Sequence, residues 1–101
     1  MYINTAEKVS GVPSSWPVYI LQVGSTGKDV KTIQKQLNAI SNNYPAIPKL
    51  KVDGQYGPKT AATVEKFQEV FHMPISGKVD YPTWYKISDI FVAVTRLAEL
   101  Q

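Results

Sequence analysis

The stretch Asp53-Gly54-Gln55-Tyr56-Gly57-Pro58-Lys59-Thr60 returns 23 residues later as Ser76-Gly77-Lys78-Val79-Asp80-Tyr81-Pro82-Thr83. Gly54 aligns with Gly77, Tyr56 with Val79 and Thr60 with Thr83. Each copy reads as a glycine turn, an apolar plug, a cap and a helix start. Glycine in such a turn supplies a positive φ at no steric cost. The apolar residue two positions on then tucks beneath the helix. Pro58 suits a first helical position, where the N–H it lacks has no intrahelical acceptor in any residue.

Working outward, each copy leads into an amphipathic segment. After the first, Ala61, Val64, Phe67 and Phe71 supply an inward face with Val70 beside them, and His72-Met73-Pro74 ends it. After the second, Asp80 is an N-cap, Pro82 fits the first turn, and Trp84, Ile87, Phe91, Val94 and Leu97 form a stripe widened by Ile90 and Leu100. Upstream of both, Val30, Ile33, Leu37 and Ile40 recur at i, i+3, i+7 and i+10, the period of one helix face. Ser25 or Thr26 is the expected cap of that helix, and Asp29 falls in its first turn, where the helix dipole favours a carboxylate. Asn42-Asn43-Tyr44-Pro45 ends it, and residues 45–57 form a loop punctuated by proline and glycine. The pattern predicts an all-α fold, a small three-helix bundle over residues 21–101. Residues 1–24 lack a helical period, and residues 1–20 are the expected linker or arm: Gly11-Val12-Pro13-Ser14-Ser15-Trp16-Pro17 reads as a linker, and Val18-Tyr19-Ile20-Leu21 as an extended arm against the domain.

Composition narrows the chemistry. The chain has 101 residues, enough for one domain, with 44% apolar and 19% charged residues, as in ordinary globular chains. It has no cysteine, which excludes disulfides, iron–sulfur clusters, thiolate zinc and a cysteine nucleophile. His72 is the one histidine and has no cysteine or second histidine to share a metal, so neither a metal nor a cofactor is expected. Glu65 and Glu69 share a helix face at i, i+4 and read as solvated, and a bundle this small offers no cleft for a two-carboxylate glycosidase. No stretch reaches the roughly 20 apolar residues of a membrane helix. Residues 1–10 carry no signal-peptide pattern, so an export signal is expected elsewhere in a longer parent. The net charge of +3 favours polyanionic surroundings only weakly.

The run Leu21-Gln22-Val23-Gly24-Ser25-Thr26-Gly27-Lys28-Asp29-Val30, followed by Ile33-Gln34 and Leu37, combines with the first turn, Val64, Phe67-Gln68, Ser76-Gly77-Lys78-Val79 and Thr83-Trp84. This constellation resembles peptidoglycan-binding domain family 1 over residues 21–97, above all copies from clostridia and related spore formers. The resemblance implies a three-helix, non-catalytic wall anchor attached to amidases, carboxypeptidases, cortex-lytic enzymes or endolysins. It further implies a monomer in the extracellular space or on the wall or spore, with peptidoglycan as partner and neither nucleic acid nor membrane. Asp53 and Tyr56 match the family pattern. Ser76 stands where the family has aspartate and Asp80 where it has glycine, so the second turn is expected to keep its shape but not its hydrogen bonds.

The candidate ligand-binding residues are Gln34, Asp53, Gln55, Tyr56, Lys59, Gln68 and Tyr85. Asp53 accepts hydrogen bonds either from wall sugars and peptides or from its own turn. Gln34 and Gln68 bond either a stem peptide or loop backbone. Tyr56 is a plug or a sugar platform, and Lys59 a carboxylate partner or a solvated cation. Among the other aromatics, Trp84 belongs to the core stripe, Trp16 pins the arm, and Tyr85 is the exposed stacking candidate. Lys28, Lys31 and Lys35 line one helix face, solvated or facing anionic wall polymers. Two other classes compete with wall binding. A structural or protein-interaction module is suggested by the apolar run Ile90-Phe91-Val92-Ala93-Val94. A helix-turn-helix DNA reader is disfavoured by the long first connection and by Arg96 being the only arginine.

Overall fold

A computed structural model describes residues 19–100, with side chains through residue 96. It contains α1 (Lys28–Ser41), α2 (Pro58–Val70) and α3 (Tyr81–Leu100), and no strand among the described residues beyond two isolated antiparallel bridges, Leu21 with Val79 and Thr26 with Gln55. The all-α, three-helix expectation holds. Trp16 and the 11–17 linker lie outside the described residues, as do the side chains of Leu97 and Leu100.

The helix faces follow the apolar periods. Val30, Ile33, Leu37 and Ile40 of α1 are fully buried and meet Val64 and Phe67 of α2 and Trp84, Ile87 and Val94 of α3 in one core. Leu21, Ile47, Tyr56 and Val79 reach that core from outside the helices. α1 packs directly on α3. Removing each of these side chains from water contributes about 1.5–3 kcal/mol before conformational entropy is subtracted. Phe91 and Ile90 are only partly buried and border this cluster.

The helix ends show where neighbours override local preference. Asp80 caps α3 as expected: its Oδ1 accepts the Thr83 N–H at 3.1 Å. Pro58 opens α2 behind Gly57. Past Val70, His72 takes a left-handed φ of 58°, and the Met73 N–H folds back to the Gln68 carbonyl at 2.8 Å. The expected cap of α1 is corrected. Its N-cap is Gly27, at φ 116°, and no side chain bonds the exposed N–H groups. Ser25 Oγ instead accepts the Gln22 N–H at 3.0 Å, and Thr26 is held in its bridge with Gln55.

That bridge belongs to a strap, residues 21–27, laid across both glycine turns. Leu21 and Val79 exchange both backbone hydrogen bonds, at 3.1 and 2.8 Å. The Gly24 N–H donates to the Tyr56 carbonyl at 3.0 Å, the Tyr56 N–H to Ser25 at 2.9 Å and the Gly27 N–H to Gly54 at 3.0 Å. Just before it, Tyr19 Oη donates to Asp29 Oδ2 at 3.1 Å. The strap fixes the two turns relative to α1.

Candidate functional site

Both repeats are organised by a buried glutamine. Gln34 of α1 is 1% exposed. Its Nε2 donates to Asp53 Oδ1, the Gln55 carbonyl and Thr60 Oγ1 at 3.1, 3.1 and 3.2 Å. Its Oε1 accepts the N–H groups of Asp53 and Gly54 at 3.1 and 2.9 Å. Gln68 of α2, also 1% exposed, repeats the pattern. Its Nε2 donates to Ser76 Oγ, the Lys78 carbonyl and Thr83 Oγ1, and its Oε1 accepts the N–H groups of Ser76 and Gly77. An amide with both atoms occupied in this way acts on its turn. Of the two readings left open for these glutamines, the geometry is that of loop satisfaction.

The second turn corrects an expectation. Ser76 does keep the hydrogen bonds of an aspartate there, because its Oγ accepts from Gln68 Nε2 at 3.2 Å and from the Lys78 N–H at 3.1 Å. Asp53 Oδ1 takes the equivalent pair from Gln34 and from the Gln55 N–H, the latter at 3.0 Å. A hydroxyl and one carboxylate oxygen thus fill the same place, and only the first turn carries charge. The Gln55 N–H, then the Gln34 amide, hold the Asp53 carboxyl below its ordinary pKa, with a smaller contribution from Lys51.

Tyr56 is a plug. It is 2% exposed, and its hydroxyl donates to the Gly77 carbonyl at 2.6 Å, tying the first turn to the second. Burial, with the Glu65 charge as a smaller cause, raises its pKa well above the ordinary tyrosine value. Gly54 sits at φ 75°, which strains any residue with a Cβ, and a Cβ there would lie 3.3 Å from both the Gly27 carbonyl and the Lys31 stem, which would have to give way by a few tenths of an ångström.

Beside the first turn lies a groove of about 600 Å³. Asp53, Gln55 and Lys59 line it together with Gln34, Lys49, Leu50 and Lys51. Asp53, Gln55 and Lys59 are exposed, and Asp53 Oδ2 makes no hydrogen bond with the described residues. The structure therefore brings together four of the seven candidates. Tyr56 and Gln68 lie behind the turns. Tyr85 is apart from the groove, 39% exposed, with its ring 6.2 Å from that of Tyr81. Trp84 is in the core, and no group of three His, Cys, Asp or Glu side chains among the described residues could hold a metal.

Lys49, Leu50 and Lys51 were not candidates from sequence. They sit on the connection after α1, which is pinned by Asn38: its side chain donates to the Leu50 carbonyl and accepts the Leu50 N–H, both at 2.7 Å. Ser41 Oγ donates to Ile47 at 2.6 Å, and Lys49 Nζ donates to Asn42 Oδ1 at 2.6 Å. A signal was present in the spacing. Gln34 lies 19 residues before Asp53, whereas Gln68 lies only 8 before Ser76, so the first unit carries eleven additional residues. Lys49, Leu50 and Lys51, which line the groove, lie in that longer connection.

Residues 26–87 match the family model for the peptidoglycan binding domain, and the chain belongs to that family. Two solved structures resemble it. One is the SleB N-terminal domain, 29% identical with a TM-score of 0.62, covering 72% of this chain and 93% of that one. The other is a fused Zn-dependent amidase/peptidase/peptidoglycan-binding domain-containing protein from Clostridium acetobutylicum ATCC 824, 30% identical with a TM-score of 0.60. The match covers 68% of this chain and only 28% of the amidase protein. No curated protein matches the chain. No helix among the described residues is long and apolar enough to cross a membrane.

Proposed function

We propose that this domain binds peptidoglycan without cutting it, and that it anchors an attached wall hydrolase to its polymeric substrate outside the cell. The carrying observation is the groove beside the first turn, where Asp53 Oδ2, the Gln55 side chain and Lys59 present unspent polar groups on a frame made rigid by Gln34. Such groups suit the hydroxyls, amides and carboxylates of a stem peptide or short glycan. A shallow polar groove buries little apolar area, so one module binds weakly, on the order of high micromolar to millimolar. Tethering then acts by raising the local concentration of a catalytic partner on a polymer of many equivalent sites. The family assignment and the fused amidase protein support this reading. Gln34 and Gln68 serve it as positioning residues, and Tyr56 as the link between turns. Tyr85 lies outside the groove and is left out of the contact set.

The test is a pelleting assay with insoluble peptidoglycan, run beside a DNA-binding assay at the same salt. Pelleting with peptidoglycan alone is expected. Asp53→Asn, which keeps an oxygen for the turn but removes the charge, should reduce pelleting severalfold with unchanged helical circular dichroism. A chain that stays in the supernatant with peptidoglycan and does not bind DNA is a structural or protein-interaction module.

A further inference from the structure

A second groove, of about 350 Å³, also adjoins the first turn. Lys28 and Lys31 line it, and it shares Asp53 and Gln55 with the larger groove. Lys51 and Lys59 therefore line one groove at the turn and Lys28 and Lys31 the other, with Asp53 and Gln55 common to both. All four lysines are exposed, and none forms an ion pair among the described residues. The one carboxylate lining either groove is Asp53, and its Oδ1 is held by Gln34 and the Gln55 N–H.

We infer that the two grooves form one continuous cationic track, and that it reads the free carboxylates of peptidoglycan stem peptides in preference to their amidated forms. The inference rests on the peptidoglycan reading above and specifies its ligand chemistry. Concave surfaces of one sign concentrate their potential and draw in ligands of the opposite sign. The N-acetylated sugars offer these lysines nothing to neutralise, whereas each non-amidated stem peptide carries free carboxylates. Lysine ammonium groups are mobile point charges, suited to a flexible peptide that presents its carboxylates at varied positions. Asp53, in the middle of the track, adds the complementary preference for amide N–H or ammonium groups between two carboxylates.

The experiment compares pelleting on three forms of insoluble peptidoglycan at matched ionic strength. One retains its attached phosphate polymers, one is stripped of them with hydrofluoric acid, and one is stripped and then converted to carboxamides with a carbodiimide and methylamine. Stripped peptidoglycan should bind as well as the unstripped form, and amidation should weaken binding about tenfold or more. Binding should also fall with added salt. Exposed lysine–carboxylate contacts are each worth about 1.4- to fivefold in affinity. The Lys28→Gln/Lys31→Gln and Lys51→Gln/Lys59→Gln pairs should each therefore weaken binding about two- to twenty-fivefold, and only on the non-amidated forms. Lys66→Gln, on a lysine paired with Glu69 away from the track, should change nothing. Equal binding to amidated and non-amidated peptidoglycan overturns the inference and leaves the binding function standing. Binding lost on stripping assigns the track to phosphate and overturns it as well. A wild-type chain that pellets with none of the three overturns the underlying reading too.

Discussion

At the scale of the residue, two glutamines do the work that turns usually leave to their own backbone. The Gln34 amide holds the Asp53 and Gly54 N–H groups on one atom and three acceptors on the other. Replacing it with alanine leaves the buried Gly54 N–H and Thr60 hydroxyl without these partners, at about 1–3 kcal/mol for each buried group left unsatisfied. Gln34→Ala is therefore expected to lose about 2–6 kcal/mol in urea denaturation. Asp53 and Ser76 form a comparison within one chain, because they fill equivalent places and only one of them titrates. The folded pKa of Asp53 lies below its unfolded value, so its stabilisation is present above the ordinary aspartate range and is lost as pH falls through the folded pKa. In melts from pH 6 down to pH 2, the stability advantage of the native chain over Asp53→Ser should shrink toward acid. A constant difference across that range would contradict the linkage. From sequence, both glutamines were recognisable as important, but not what each amide touches. Their partners arrive from 19 and 8 residues downstream, and only folding brings them within reach.

At the scale of the element, the helices were legible wherever burial has a period. The faces of α1 and α3 follow the apolar spacing, and Pro58 and Asp80 start their helices as local rules require. The cap of α1 departs from local preference because the Ser25 hydroxyl is taken by the Gln22 N–H within the strap, while the Ser25 carbonyl and Thr26 pair with the first turn. Local preference offers about 1 kcal/mol at such a site, and a network of long-range backbone hydrogen bonds outweighs it. The two later helices differ in this respect. Asp80 supplies α3 with a side-chain cap, while Gly57 supplies α2 with none. Asp80→Ala should cost about 0.5–2 kcal/mol, read as a lowered melting temperature. The Ser25→Ala change acts on the strap and should leave the helical content of α1 intact, as measured by circular dichroism.

At the scale of the whole molecule, the strap and the Tyr56–Gly77 hydrogen bond make the two turns one body. Leu21, fully buried, anchors the strap beneath the second turn. Leu21→Ala should destabilise the domain by about 2–5 kcal/mol in denaturant titration. It should also weaken peptidoglycan pelleting, although Leu21 is remote from the groove lining, because the first turn loses its brace. The groove was the least legible part of the molecule. Lys49, Leu50 and Lys51 line it from an irregular connection held by Asn38 and Ser41, whose added length shows in the spacing but whose course has no period to reveal it, and Ile47 is buried from the middle of that loop.

On the proposed reading, the eleven additional residues of the first unit also set valency. Each unit carries a clamped turn, but both grooves described above lie beside the first, so the domain would grip its polymer with one hand. Lengthening the short connection before Ser76 to match the first would set a second gripping site on a frame that already exists, and a bivalent domain of this kind would exchange transient contact with the wall for retention on it.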